Sequence, residues 1–270
     1  MKKILTLALS VSLFITGCTK NALTGKSHLS LISESQLQQM AVTEYQTFLS
    51  QNKVVSLSGN KDAEMVKRVG SRIANAITQY YKSQGRPEVL KDYNWEFNLV
   101  DNKQVNAWCM PGGKVVVYTG LLPIAQNEAA LAIVLGHEIT HAVAGHGGER
   151  MNNGLLAQGL GAVGDILTNG NPKVNSIFNN IYGPGVQIGV LLPNSRNQEY
   201  EADHYGLLFA AMAGYNPREA IPFWQRMSQA GGGSQKPPEF LATHPADEKR
   251  IAKLQSYMPE ALKYYKPIKN

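Results

Sequence analysis

Residues 127–145 read NEAALAIVLGHEITHAVAG. Asn127 suits a helix cap, and Glu128 suits the positive end of the helix that would follow. From Ala129 to Leu135 the side chains are apolar on every face, so the pattern predicts a buried helix over about 127–145. Within it, His137, Glu138 and His141 match H-E-x-x-H. Residues i and i+4 lie on one helix face about a turn apart, so two imidazoles so placed reach one zinc ion. Glu138 would sit beside that ion, where it can take a proton from a bound water. Burying two imidazoles and a carboxylate in an apolar helix is costly without such a use.

A catalytic zinc takes three protein ligands and leaves the fourth position open. The extension H-E-x-x-H-x-x-G-x-x-H fails, because Ala144 and Gly147 stand where Gly and His are needed. His146 lies five residues past His141, about 140° around a continuous helix. It reads as a last-turn histidine favoured by the helix dipole. A more distant spacing wants a glutamate near Gly161, and Glu149 would lie about 12 Å along the helix from the pair. That leaves Glu199-Tyr200-Glu201-Ala202-Asp203 on a later helix. Glu199 and Asp203 share a face, while Glu201 points roughly the opposite way. One of the two can ligate while the other orients a ligand or the substrate. A solvated acidic helix start has the same spacing.

The flanking sequence predicts an α+β chain, mainly helical. Leu37, Ala41, Tyr45 and Phe48 mark a helix over 34–49. Val66, Val69, Ile73, Ala76, Ile77 and Tyr80 mark another over 62–83, ended by Gly85 and Pro87. Tyr93, Trp95, Phe97 and Leu99 then alternate, and Pro111-Gly112-Gly113 turns into the run Val115–Thr119. Residues 93–119 are therefore expected to form a small antiparallel sheet beside the His137 helix, with Val115–Thr119 able to receive substrate as an added strand. Glycine-rich 145–189 is expected to be mostly mobile loop, with a small-residue helix over 155–167. Further helices should run from Arg196 to near Gly214, from Asn216-Pro217-Arg218-Glu219 onward, and from His244-Pro245 through Ile251 and Leu254. Gly231–Pro238 reads as a flexible loop.

At the amino end, Lys2 and Lys3 precede the apolar Ile4–Ile15, and Thr16-Gly17-Cys18 follows. This reads as a signal peptide over 1–17. Ile-Thr-Gly-Cys resembles a bacterial lipobox, so Cys18 is expected to carry lipid. Residues 18–33 would form a polar tether and 34–270 a single domain. Cys109 is the other cysteine, which leaves no internal disulfide and suits a small, partly buried side chain. No later stretch has the roughly 18 apolar residues of a spanning helix. The net charge of +6 is scattered. It lacks the basic stripe of a nucleic-acid-binding protein.

Several stretches together resemble one zinc endopeptidase family, which includes the CAAX prenyl protease, the HtpX heat-shock protease and bacterial periplasmic lipoprotein proteases. They are Thr24-Gly25-Lys26 with Leu29–Ser33, Asn106-Ala107 with Pro111-Gly112-Gly113, Val116-Tyr118-Thr119-Gly120-Leu121, Leu135–His141, Glu199–Asp203 and Thr243-His244-Pro245. Trp108-Cys109 stands where other members often have smaller or apolar residues. The resemblance implies a zincin-like domain with one Zn2+ per chain, held by His137, His141 and Glu199. It implies Asp203 in a supporting or proton-donating role; the site's own spacing makes Glu138 the general base and offers Asp203 or, more weakly, His204 as a helper at the oxyanion. It also implies that His244 can approach the metal as a fourth, regulatory ligand and hold the enzyme latent. The expected substrates are unfolded or misassembled envelope proteins. The expected place is the periplasmic side of a bacterial membrane, the outer one favoured, near its assembly machinery. The competing expectation is a latent, chaperone-like assembly factor gated by His244 and the 145–189 loop.

Overall fold

The computed structural model describes residues 18–159, 171–182, 195–231, 238–245 and 247–268. The expected signal peptide, part of the 145–189 stretch and most of the 231–238 loop lie outside them. Strands β1 (Cys18–Lys20) and β2 (Ser27–Leu29) pair antiparallel as a hairpin. The stretch expected as a tether is thus folded against the body. Helix α1 (Glu34–Gln51) starts from a reciprocal capping box between Ser33 and Gln36. Helix α2 (Lys61–Ser83) starts from Asn60, whose side chain accepts from the amides of Asp62 and Ala63. Three strands follow: β3 (Glu96–Val100), β4 (Ala107–Met110) and β5 (Lys114–Tyr118).

The strand order is β3-β5-β4. β4 and β5 are antiparallel, as expected, but β3 runs parallel to β5. The sheet is therefore mixed. Central placement explains the β-branched run in β5, which is buried on both faces. Val115 and Val117 enter the larger core, and Val116 and Tyr118 enter a smaller one under α1. A central strand cannot accept a further strand, so the expectation that Val115–Thr119 binds substrate is overturned. β3 and β4 are the edges, and a bridge from Val54 to Val100 lies on the outer side of β3.

Helix α3 (Leu122–Ala125) is one turn long, and α4 (Glu128–Val143) carries the H-E-x-x-H pattern. Asn127 caps α4 by accepting from the amide of Ala130 at 2.8 Å. Every residue from Ala130 to Val143 is buried. Gly145, at φ +72°, ends this helix in a left-handed turn. The chain then continues as α5 (His146–Ala157), and α6 (Pro172–Tyr182) packs nearby. The parts of 145–189 that the structure describes are thus mainly helical, not loop. Small residues lower helix propensity, but apolar Met151, Leu155, Val174, Ile177, Phe178 and Ile181 bury these two helices in the smaller core.

Helix α7 (Arg196–Met212) begins from a Ser195–Gln198 capping box. Asn216 and Pro217 open a 3-10 turn leading into α8 (Ala220–Gly231). A short α9 (Glu239–Thr243) ends at His244, and α10 (Glu248–Tyr264) starts from Asp247, which accepts from the amide of Arg250. His244-Pro245 therefore closes one helix rather than opening the last one, because Asp247 is the residue with a free capping oxygen. Among the described residues, no helix is long and apolar enough to cross a membrane.

Candidate metal centre

The placement of the site follows from one close crossing. A Cβ on Gly206 of α7 would lie 2.7 Å from the backbone nitrogen of His137, and one on Gly136 of α4 would lie 2.6 Å from the carbonyl oxygen of Gly206. With no side chain on either residue, the two backbones touch. Glu199 and Asp203, about two turns and one turn earlier on α7, then face His137 and His141.

His137, His141, Glu199 and His244 converge, all buried, each offering a ligand atom within 4.8 Å of the others. The Nε2 atoms of His137 and His141 are 3.0 Å apart. Glu199 Oε2 lies 3.5 Å from His137 Nε2, and Oε1 lies 3.2 Å from His141 Nε2. His244 Nδ1 lies 2.9 Å from Glu199 Oε2 and 3.1 Å from His137 Nε2. Nitrogen ligands of a tetrahedral zinc at about 2.0–2.1 Å stand about 3.3 Å apart. The donor set and its spacings fit zinc.

Burial alone would raise the Glu199 carboxyl, but the surrounding histidines hold it well below its usual range. Burial pulls His137 down, yet Asp203 and Glu199 outweigh it and hold the ring up at about 9. Burial keeps His141 well below its usual value.

Glu138 is also buried, and burial raises its carboxyl. Among the described residues its Oε1 has no hydrogen-bond partner. His244 Nε2 is 3.4 Å from it. A buried carboxylate oxygen without a donor is costly, and such exceptions mark functional positions. His244 thus sits between the candidate base on one side and Glu199 on the other.

Asp203 accepts from both Nε and Nη2 of Arg250 at 2.7 Å, and its Oδ1 lies 3.0 Å from His137 Nδ1. Burial would raise this carboxyl, but Arg250 and His137 lower it. An ionised carboxylate held in this way orients the His137 ring. Both of its oxygens are thus engaged, one by Arg250 alone and the other by Arg250 and His137. His204 lies away from the cluster, with Nε2 2.7 Å from Glu260 and its ring stacked on Tyr257. It is in no position to help at the oxyanion.

Arg250 and His146 are the two residues of the site that helix periodicity alone does not place. Arg250 is 2% exposed, lies 3.4 Å over the ring of Trp224, and has Nη1 3.3 Å from Glu199. Its signal was a charged residue in register with buried Leu254 on an otherwise apolar stripe. On a continuous helix His146 would point away from His141. Because Gly145 breaks the helix, His146 instead returns to within 2.8 Å of His141.

Two histidines four residues apart on one helix, a glutamate beside them and a carboxylate from a second helix define the zincin type of metallopeptidase site. The chain belongs to peptidase family M48, whose family model matches residues 60–258. Members of this family use zinc. Relatives include the mitochondrial metalloendopeptidase OMA1 of Schizosaccharomyces pombe, 34% identical over 64% of this chain and 49% of the relative. The human metalloendopeptidase OMA1 is 30% identical over 94% of this chain and 48% of its own length. The beta-barrel assembly-enhancing protease of Escherichia coli is 30% identical over 65% of this chain and 38% of its own. The chain thus spans about half, or less, of the length of these relatives.

Proposed function

We propose that this chain is a zinc-dependent endopeptidase with His137, His141 and Glu199 as ligands and Glu138 as general base. The observation that carries the reading is the buried Glu138 carboxylate set beside the converging His137, His141 and Glu199, its Oε1 without a hydrogen bond among the described residues. Zinc held there supplies Lewis acidity, which lowers the pKa of a water and polarises a peptide carbonyl. Glu138 takes the proton from the attacking water and returns it to the leaving amine. Its raised pKa brings it nearer to neutrality, as a base that must later act as an acid requires. Asp203 and Arg250 hold the His137 ring. β4, an edge strand with no strand on its outer side among the described residues, aligns an extended substrate by backbone pairing and so reads side chains only loosely. Unfolded or misassembled proteins suit such an edge.

The position of His244 favours a latent ground state. A catalytic zinc needs an open ligand position. His244 completes a fourth corner and covers Glu138, so it must swing away before substrate enters. We place the protein as a lipoprotein anchored through Cys18 at the periplasmic side of a bacterial membrane, the outer one favoured. The sequence around Cys18 and the likeness to a protease named for β-barrel assembly support this placement.

The test is casein cleavage by zinc-loaded residues 19–270. Cleavage should be lost in Glu138→Gln and on chelation, and should be several-fold faster in His244→Ala. Equal cleavage by the parent and Glu138→Gln refutes the mechanism, and a His244→Ala no faster than the parent refutes the latch.

A further inference from the structure

His137 has its carboxylate support in Asp203. His141 has a longer one, which leads to the amino-terminal hairpin. Nε2 of His141 faces Glu199 and His137, the metal side. Its other nitrogen, Nδ1, lies 2.8 Å from Nδ1 of His146. Nε2 of His146 lies 3.3 Å from Oε1 of Glu201, and Nδ2 of Asn21 donates to the same oxygen at 2.8 Å. His146, Asn21 and His141 are all buried.

The protons in this chain can be ordered in only one way once His141 ligates through Nε2. His141 then carries its proton on Nδ1 and donates to Nδ1 of His146. His146, accepting at Nδ1, carries its own proton on Nε2 and donates to Glu201. The carboxylate of Glu201 ends the chain, and Asn21 and, at 3.9 Å, Lys26 hold it from the other side. Every donor meets an acceptor.

Asn21 itself is fixed by the turn it makes. Its Oδ1 accepts from the amides of Leu23 and Thr24, and its backbone pairs with Lys26 and Gly25. That turn is tied to the body by Arg86, which donates to the carbonyl of Ala22, and by Tyr205, which donates to the carbonyl of Leu23. The left-handed Gly145 lets His146 turn back, and Gly147 leaves room for Tyr182, whose hydroxyl would sit 2.0 Å from an added Cβ.

We propose that His146 and Glu201 are positioning residues for the metal ligand His141, and that Asn21 extends this support to the hairpin, so that hairpin docking and metal affinity are coupled. The coupling is reciprocal: whatever pulls the hairpin away loosens the metal, and metal binding tightens the hairpin. The inference rests on the zinc site proposed above. It adds that a segment three residues from Cys18 reports on that site.

The test is the zinc dissociation constant of the zinc-loadable chain (residues 19–270), read by competition with a chromophoric chelator. The visible spectrum of the cobalt-substituted protein is recorded in parallel. His146→Ala should weaken zinc about tenfold to a hundredfold, the range for lost outer-shell partners, and should shift the cobalt bands. Asn21→Ala should weaken it several-fold. In the double variant, Asn21→Ala should add nothing, because its effect passes through His146. Should His146→Ala not fold, Asn21→Ala against Glu201→Gln decides by the same non-additivity. Zinc affinity in Asn21→Ala and His146→Ala within twofold of the parent, or fully additive losses, would overturn the proposal. Glu199→Ala is the reference. If it too keeps zinc, the site assignment itself is wrong. If it loses zinc while His146→Ala does not, only the coupling is wrong.

Discussion

Arg250 shows how much a single residue does here. Its guanidinium is buried, stacked on Trp224, paired through two nitrogens with Asp203 and close to Glu199. Removing one partner of a buried pair strands the other charge. Arg250→Met should therefore cost about 3–5 kcal/mol in urea unfolding at pH 7, and should also weaken zinc through the freed His137 ring. Glu138→Gln is the opposite case, with stability kept or slightly raised and turnover down by about 100-fold to 10,000-fold. Kinetics and a thermal melt on one preparation check both halves. Residue identities were legible where a repeat of three or four positions put them on one helix face. That rule exposed His137, Glu138, His141, Glu199 and Asp203. It failed for His146, since a helix break at Gly145 re-aims whatever follows, and for Arg250 and Asn21, whose partners lie far away in sequence.

At the scale of elements, the α4–α7 crossing decides whether the ligands meet. Alanine normally improves a helix over glycine by about 1 kcal/mol. At Gly206 the new methyl would overlap the backbone of α4 at 2.7 Å. Gly206→Ala should thus destabilise by about 1–3 kcal/mol and bind less than one zinc per chain, read by thermal melting and metal analysis. A stabilised variant with full zinc would refute the contact. Asp247 governs the last helix. Burial would raise its carboxyl, but Arg196 and the Arg250 amide hold it below its ordinary 3.8. A carboxyl lowered in the folded state contributes stability that is present above 3.8 and lost as pH falls through the lower, folded value. Asp247→Asn keeps a capping oxygen but does not titrate, so the acid limb of its stability curve should be flatter than the parent's. Caps and apolar periods made most of these helices legible, including α1, α2, α4 and α7. The parallel pairing of β3 was not legible, because strand alternation says nothing about partner direction. The helices α5 and α6 were hidden for another reason: glycine and asparagine content argues for loop, and tertiary burial outweighs it.

Across the whole molecule, the cluster joins α4, α7 and the segment between α9 and α10, and the His146 chain adds the hairpin. Metal bound only by the folded state raises stability, by about 4 kcal/mol at a thousandfold excess over its dissociation constant. Chelation should therefore lower the melting temperature of residues 19–270, and added zinc should restore it. An unchanged melt would mean that the ligands are not held together by folding. The zincin class of fold could be read from one helix and one acidic segment. How the amino-terminal stretch docks on α7 could not, since nothing local in 18–33 signals a partner at Glu201.

The most direct test of the account is anomalous diffraction at the zinc edge from crystals of the zinc-loaded chain. The account predicts one peak per chain, about 2.0–2.2 Å from Nε2 of His137, Nε2 of His141 and the carboxylate of Glu199. A peak at other residues, or none with zinc in excess, would contradict it.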